Sequence, residues 1–194
     1  MAAGTIYSYI DSPLGRMVVR GDGQFVTGLF MPHHKGWHGP DAAWRLAEEP
    51  FATIREQLAE YFAGERQQFT VALRLRGTPF QQRVWQELVR IPFGTTISYA
   101  QLAQRIGHPT ASRAVGHANG RNPISILIPC HRVIGANGKL SGYAGGIDRK
   151  QWLLDLERRA SMAQCGHSFD TFDVVTGNDA YHRSASIAVC DSRG

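Results

Sequence analysis

The sequence contains few cysteines and no long apolar run. Its three cysteines, Cys130, Cys165 and Cys190, are odd in number and widely separated, with no C-x-x-C spacing. Neither a disulfide framework nor a structural zinc site is therefore expected, and reduced thiols fit a cytosolic compartment. No apolar stretch reaches the ~18 residues of a membrane span, and the N-terminus lacks the basic and apolar regions of a signal peptide. We therefore expect a soluble, cytoplasmic globular protein with no membrane partner.

Charge is unevenly distributed along the chain. Residues 72–150 contain eleven Lys or Arg residues and only two acidic residues, Glu87 and Asp148, so this segment has a net charge of +9, whereas the whole chain has a net charge of +5. The rest of the chain is therefore acidic. A basic central segment favours a polyanionic partner. On charge alone, a generally solvated basic surface is an equally good explanation.

The first part of the chain predicts a small sheet with a helix on it. Short apolar segments separated by turn residues predict three strands, at residues 5–10, 16–20 and 25–30. Such closely spaced strands favour an antiparallel meander. Four apolar residues at helical spacing then predict a helix that ends at Gly64 and covers one face of the sheet; they are Phe51, Ile54, Leu58 and Tyr61. A further apolar segment, residues 69–75, is predicted to return to the sheet.

A domain boundary is predicted close to Thr78. This residue can cap a new helix that has Pro79 in its first position. The predicted units are an N-terminal domain at residues 1–76, a second domain at 77–160 and a disordered extension at 161–194. The extension is rich in Ser, Asp, Gly and His, a composition that buries little apolar surface.

Two helices of the second domain are predicted to form a helix-turn-helix. The first covers residues 98–106, and a tight glycine-containing turn leads to the next. An ordinary helical hairpin is the alternative. The second helix is rich in small residues, and only Ser112, Arg113 and His117 have side chains that can reach a base. This composition favours close, sequence-independent docking in a minor groove, with Arg113 as the long probe.

Cys130 lies in a setting that favours reactivity. It directly follows the apolar segment 124–129 and precedes His131 and Arg132. Positively charged neighbours are predicted to stabilise the thiolate, which is the form that attacks carbon. A buried, inert cysteine is the alternative on composition alone.

Three histidines, His33, His34 and His38, lie close together in a loop. A zinc site normally needs four ligands in a defined geometry, and no cysteine or carboxylate lies among them. We predict a solvated loop and no metal site.

The residues around Cys130 combine several motifs. Pro129-Cys130-His131-Arg132-Val133 is preceded by Arg113-Ala114-Val115-Gly116 and by Asn122-Pro123. The other matching segments are Phe80-Gln81-x-x-Val84-Trp85, Thr96-Ile97-Ser98-Tyr99 and Gly142-Tyr143-Ala144-Gly145-Gly146. Together these motifs resemble the O6-alkylguanine-DNA alkyltransferase family throughout residues 78–157. The N-terminal match is weaker, and the tail lies outside it.

This resemblance implies both a fold and an activity. The fold is α/β, with a small N-terminal RNase H-like antiparallel sheet and helix, followed by a mainly helical winged-helix or helix-turn-helix DNA-binding catalytic domain. The activity is DNA repair by a single, irreversible transfer of the alkyl group from flipped-out O6-alkylguanine to Cys130; repair of O4-alkylthymine is left open. The implied partner is double-stranded DNA containing alkylated guanine, and no cofactor is required. We expect a monomer, with cooperative binding along DNA left open.

The resemblance also assigns catalytic roles. Cys130 matches the alkyl acceptor, and His131 with Glu157 matches a relay that takes the thiol proton through a water. Tyr99 matches the phenol that donates a proton toward guanine N3. Asn122 matches the asparagine that ties the helix-turn-helix to the active-site segment, and an Asn-Pro turn is its alternative.

The remaining assignments concern DNA binding and the base pocket. Arg113 matches the finger that fills the vacated base stack, with a phosphate contact as the alternative. The other predicted DNA contacts are Ser112, Ala114 and Tyr143, and the predicted pocket residues are Val133, Ala144 and Asn119.

Two of the pocket positions depart from some relatives. Asn119 stands where some relatives have a methionine, and Ala144 stands where some have a serine. We expect a weaker grip on bulky adducts as a result.

Three other functions are compatible with parts of this pattern. A lesion-binding protein without repair activity would lack the acceptor cysteine, whereas this chain has Cys130. A transcription regulator would bind specific operators, and the regulatory members of the family carry an additional cysteine-rich domain. A cysteine hydrolase would turn over many substrates per protein molecule.

Overall fold

The structure is a computed structural model that describes residues 4–166. From residue 167 onward, the predicted disordered extension therefore lies outside the described residues. Residues 161–166 are helical, so the predicted start of that extension at 161 is wrong, because the last helix continues through them. Within the described range, no helix combines the length and apolar character needed to cross a membrane.

A four-stranded sheet forms the first part of the chain. Its strands are β1 (Ile6–Ile10), β2 (Met17–Gly21), β3 (Val26–Phe30) and β4 (Arg45–Leu46), in the order β3-β2-β1-β4. The first three are antiparallel neighbours, which confirms the predicted meander. β4 pairs parallel with β1.

The segment at residues 69–75 returns to the sheet, as predicted, but it pairs with β3 through a single parallel bridge between Val26 and Leu73 and forms no longer strand. The free edge of β3 explains this difference. Its second half is occupied by another segment, since Leu29 N donates to Pro123 O (2.9 Å) and Ser125 N donates to Leu29 O (3.0 Å). The chain at residues 69–75 therefore has only the start of that edge to pair with.

Helix α1 (Ala52–Ala63) packs on the sheet and ends at Gly64, as predicted. Gly64 adopts a left-handed φ of 81°, which glycine tolerates without steric cost. The four predicted apolar residues are all buried, and Tyr61 is fully enclosed.

The second part of the chain is mainly helical. Its elements are α2 (Pro79–Val89), β5 (Ile97–Ser98), α3 (Tyr99–Arg105), α4 (Ser112–Gly120), β6 (Val133–Ile134) and α5 (Ile147–Gly166). Thr78 and Ser98 both form capping boxes, each accepting a hydrogen bond from the backbone three residues later. The indole of Trp85 on α2 donates to Ala118 O on α4 (2.9 Å), which fixes the two helices together.

The predicted histidine loop is only partly solvated. His33 and His38 are exposed, but His34 is 8% exposed and packs edge-on against Phe30, with ring centroids 5.4 Å apart. Burial lowers the pKa of His34. The solvated prediction is therefore wrong for His34, because its ring contributes to the packing at the end of β3. No group of three or more potential metal ligands occurs among residues 4–166.

Candidate active site

Cys130 begins a short 3-10 turn, Cys130–Arg132, which lies between α4 and β6. The preceding residues, 124–129, are buried as predicted, and the Cys130 side chain is itself only 5% exposed. Its backbone N donates to Ile128 O (2.8 Å). Ile126 adopts a left-handed φ of 71°, an uncommon conformation for a β-branched residue. The thiol is thus held by a tightly wound, enclosed segment.

The carboxamide of Asn122 joins the end of α4 to this segment. Its Nδ2 donates to Cys130 Sγ (3.0 Å) and to Ile128 O (2.8 Å), while its Oδ1 accepts from Ile124 N (3.0 Å). A donor aimed at sulfur favours the thiolate over the thiol. Asn122 therefore both shapes the segment and affects the charge state of the thiol.

Glu157 on α5 is the centre of a buried polar network. Its carboxylate accepts hydrogen bonds from His131 Nε2 (2.9 Å), Tyr61 OH (2.8 Å), Gly94 N (3.0 Å) and the Arg132 guanidinium (2.9 Å). Burial alone would raise the pKa of Glu157, but the hydrogen bond from His131 and the charge of Arg132 lower it well below its usual range. Glu157 is therefore ionised at neutral pH.

His131 is fully buried, and burial lowers its pKa despite the opposing effect of Glu157. A neutral imidazole whose Nε2 faces a carboxylate carries its proton on Nε2. The other nitrogen, Nδ1, is buried and has no hydrogen-bond partner among the described residues. Nδ1 is consequently the atom that is free to accept a proton.

The electrostatic environment of the thiol differs from the prediction. Burial raises the pKa of Cys130, and the Asn122 hydrogen bond and the charge of Lys150 oppose this rise. His131 and Arg132 were expected to supply the positive charge. That expectation is wrong, because Arg132 is paired with the Glu157 network and His131 is neutral.

Lys150 is a residue that the sequence analysis missed. Its side chain is fully enclosed, and its Nζ donates to Val133 O (2.6 Å) and to Ser141 O (2.9 Å). Burial lowers the pKa of Lys150 to about 8. A signal exists in the sequence: Lys150, Leu153 and Glu157 have helical spacing and share the buried face of α5. Tyr61 and Arg132 were also missed as partners of Glu157.

Tyr99 and Asn119 both lie near Cys130. Tyr99 OH donates to Ser141 O (3.0 Å), and burial raises the pKa of this phenol. Asn119 is enclosed, and its Nδ2 donates to Cys130 O (3.3 Å). Lys150 Nζ is 5.9 Å from the centre of the Tyr99 ring.

The loop at residues 142–146 is held by the N-terminal part of the chain. Ala144 O accepts from Lys35 N (2.8 Å), and Tyr143 OH contacts Met31 Sδ (3.7 Å). A Cβ on Gly145 would lie 2.8 Å from Met31 Sδ and 2.9 Å from the Tyr143 ring, so a larger residue there would force these side chains to move. Tyr143, a predicted DNA contact, is 9% exposed.

The predicted DNA contacts on α4 are separated from this cluster. Arg113 and Ala114 are exposed in the first turn of the helix, and Ser112 is partly exposed. Val133, a predicted pocket residue, is fully buried and contributes its carbonyl to Lys150. The structure thus groups the catalytic candidates around one enclosed thiol and leaves the α4 residues at the surface.

Both parts of the chain match domain models of one protein family. Residues 79–159 match the model described as the DNA binding domain of 6-O-methylguanine DNA methyltransferase, and residues 5–75 match the one described as its ribonuclease-like domain. A methylated-DNA–protein-cysteine methyltransferase of Mycolicibacterium paratuberculosis is 51% identical over 157 residues, 81% of this chain and 94% of that protein. A constitutive one from Bacillus subtilis is 45% identical over 156 residues, 78% of this chain and 94% of that protein.

Solved structures give the same result. The crystal structure of Mycobacterium tuberculosis OGT in complex with DNA has a TM-score of 0.76 and 50% identity, covering 80% of this chain and 94% of that one. The O6-methylguanine-DNA methyltransferase of Pyrococcus kodakaraensis KOD1 has a TM-score of 0.52 and 27% identity, covering 78% of this chain and 98% of that one. The predicted fold class, a ribonuclease-like sheet domain followed by a helical DNA-binding domain, is confirmed. This chain belongs to the 6-O-methylguanine DNA methyltransferase family.

Proposed function

We propose that this protein repairs DNA by transferring an alkyl group from O6-alkylguanine to its own Cys130. The relatives that share half of its sequence are named methylated-DNA–protein-cysteine methyltransferases, and one relative was solved in complex with DNA. The observation that carries the proposal is the thiol of Cys130, which accepts a hydrogen bond from Asn122 beside the His131–Glu157 pair. That arrangement is suited to an activated nucleophile.

The proposed reaction is one displacement. The Cys130 thiol proton passes through a water to His131 Nδ1, and Glu157 stabilises the imidazolium that forms. Sγ then attacks the alkyl carbon, so that an S–C bond forms while the C–O6 bond breaks and its electron pair stays with guanine. Tyr99 donates a proton toward guanine N3 as the base leaves. The phenol is suited to this role, because its raised pKa keeps it protonated.

The product of this reaction is a thioether, which has no leaving group that water can easily displace. Each protein molecule therefore acts once, and no metal or organic cofactor takes part, because the thiolate is itself the acceptor.

Access to the thiol requires the damaged nucleotide to leave the duplex. Cys130 is 5% exposed and is enclosed by neighbouring residues, so a base stacked in the duplex cannot bring its O6 substituent to Sγ. Rotating the nucleotide out costs a few kcal/mol, and less for a damaged pair. Val133, Asn119 and Ala144 are the proposed walls of the pocket that receives it. Asn119 and Ala144 supply little apolar surface, which favours small adducts over bulky ones.

The exposed residues of α4 are proposed to bind DNA. Arg113 is the long side chain that fills the space left by the flipped base, and Ser112 and Ala114 allow the helix to approach the backbone closely. Tyr143 acts indirectly, because its buried ring supports the loop that walls the pocket. We further propose a domain boundary at residues 76 and 77, a monomeric state and a cytoplasmic location.

Mass spectrometry tests the proposed function. The protein is incubated with a duplex that carries one O6-methylguanine, and an undamaged duplex is the control. We expect Cys130 to gain one methyl group per molecule, with guanine restored. Cys130→Ser should still bind the duplex and transfer nothing. A duplex that binds while Cys130 stays unmodified, or a Cys130→Ser protein that still clears the methyl group, contradicts the proposal.

A further inference from the structure

A cleft of about 990 Å³ lies between the sheet and the C-terminal part of the chain. One wall comes from the end of β2 and the loop after β3, with Arg20 and Lys35. The opposite wall comes from the end of α4, with His117 and Arg121, and Arg76 lies on the connecting segment. None of the described residues that line the cleft is acidic. Its electrostatic potential is therefore positive and unneutralised by the protein.

Arg20 is held in place at this cleft by packing. Its guanidinium lies over the rings of Phe30 (5.3 Å) and Trp44 (5.1 Å), and these rings stack with Trp37 between them. Gly28 is directly opposite Arg20 in the sheet, where a Cβ would come within 2.7 Å of Arg20 Nε. The side chain therefore occupies a built position and has little freedom to lose on binding a ligand.

Among the described residues, the Arg20 guanidinium has ring contacts but forms no ion pair with a carboxylate. Arg20 Nε is buried and has no hydrogen-bond partner among the described residues. Both Arg20 and Arg76 line the cleft, so two like charges face the same space. Burial lowers the pKa of Arg20, and the charge of Arg76 lowers it further. Such a pair is stabilised by an anion between them, and a phosphate oxygen matches the donor geometry of a guanidinium.

The cleft also continues the DNA-facing side of α4. Arg113 and His117 have i, i+4 spacing and lie on one face of α4, and Arg121 directly follows the helix as its C-cap. Gly116 and Gly120 lie on that side too and line the cleft. Because they have no side chains, an extended polyanion can lie close to the helix there. A free anion would not need this continuous path.

We propose that this cleft, with Arg20 and Arg76 at its centre, binds backbone phosphates of the DNA strand that leaves the α4 surface. The ribonuclease-like domain then takes a direct part in DNA binding, and the interface extends beyond the helix-turn-helix. This inference rests on the proposed function for the presence of DNA, but not on alkyl transfer. The phosphates contacted carry no sequence information, so the contribution to affinity is the same for damaged and undamaged DNA.

Salt-dependent binding to an undamaged duplex tests this proposal. Fluorescence anisotropy is measured between about 50 and 200 mM salt, where each lost phosphate contact reduces the slope of log K against log salt by about 0.9. The variant Arg20→Gln/Arg76→Gln should reduce the slope by about 2 and weaken binding roughly tenfold at the low-salt end. Arg76→Gln alone should reduce the slope by about 1. Arg76 is exposed and lies outside the aromatic stack, so its replacement should not affect folding.

Arg16→Gln is the matched control. Arg16 lies at the other end of β2, is exposed, and pairs with Asp11, so its loss removes the same charge from the same strand without touching the cleft. If the double variant and Arg76→Gln keep the slope and affinity of Arg16→Gln, the proposal is overturned.

Single methylphosphonate substitutions then locate the contact. Neutralising one or two specific phosphates should weaken binding of the wild-type protein and leave the Arg20→Gln/Arg76→Gln variant unaffected at those positions. If no position behaves this way, the cleft binds no DNA phosphate, and the inference fails. Methyl transfer should be unchanged in Arg16→Gln, whose side chain lies outside the cleft. Failure of the proposed function is distinguishable, because it appears as an unmethylated Cys130 in the wild-type protein.

Discussion

Replacing Glu157 by glutamine removes the one negative charge in the buried network while keeping its shape. Oε1 and Oε2 together accept from a ring nitrogen, a phenol, a backbone amide and the Arg132 guanidinium. A glutamine amide can accept on one side only, and its NH2 group then faces Arg132 or His131 as a second donor. Arg132, 5% exposed, is left as a buried charge without a counter-ion.

The cost of this change follows from known effects in other proteins. Removing one partner of a buried ion pair costs about 3–5 kcal/mol, against a total stability of about 5–15 kcal/mol. With an m-value of about 2 kcal/mol/M, the urea midpoint at pH 7 should fall by about 2 M. The matched control is Glu60→Gln, which removes a partly exposed carboxylate paired with Arg66. That change should cost less than about 1 kcal/mol.

The pH dependence provides an independent check. The pKa of Glu157 is lowered in the folded protein relative to its ordinary value of 4.5, so its contribution to stability is complete above that pH and is lost as the pH falls below it. The difference in unfolding free energy between the wild-type protein and Glu157→Gln should therefore shrink from pH 5 downward. An unchanged urea midpoint at pH 7, or a difference that stays constant into acid, would refute the reasoning.

Three further substitutions test the surroundings of the thiol and the sheet. Asn122→Ala leaves the buried Ile124 N unpaired and removes the donor to Cys130 Sγ. Unfolding in urea should show a loss of about 1–3 kcal/mol, and iodoacetamide should label Cys130 more slowly at neutral pH. Lys150→Met should raise the pKa of Cys130, because it removes a nearby positive charge. The rate of Cys130 labelling should then increase at a higher pH than in the wild-type protein. An unchanged pH dependence of labelling would exclude an electrostatic effect of Lys150 on the thiol. Gly21→Ala forces a Cβ against Phe25 O in the bend after β2, and thermal unfolding should show a loss of about 1–3 kcal/mol; an unchanged Tm would contradict the steric argument.

Features that depend on neighbouring residues could be predicted from the sequence. Thr78 and Ser98 cap their helices through hydrogen bonds within three residues, and Gly64 ends α1 through its own backbone freedom. The strands β1 to β3 follow from local apolar patterns and turns. The proposed catalytic residues were identified through family motifs, because the residues alone left a buried, inert Cys130 as an alternative.

Features that depend on distant residues could not be predicted. The pair Tyr61–Glu157 spans 96 residues, and no local pattern relates the two positions. β4 consists of two exposed residues and exists only because β1 offers a free edge. His34 is buried by its contact with Phe30, which a count of polar loop residues does not reveal. The charge near the thiol comes from Lys150, twenty residues along the chain from Cys130.

The hydrogen bond between Tyr61 and Glu157 has a consequence for inherited variation in this protein. It joins the first helix of the ribonuclease-like part to the carboxylate that orients His131, and the two parts also share one apolar core. They should therefore unfold together. Each loss of about 1.4 kcal/mol anywhere in that core lowers the ratio of folded to unfolded molecules tenfold. In the proposed function, each molecule is consumed by one repair event. A substitution in α1 such as Leu58→Ala should then reduce repair capacity by lowering the amount of folded protein, while every remaining folded molecule reacts at the normal rate.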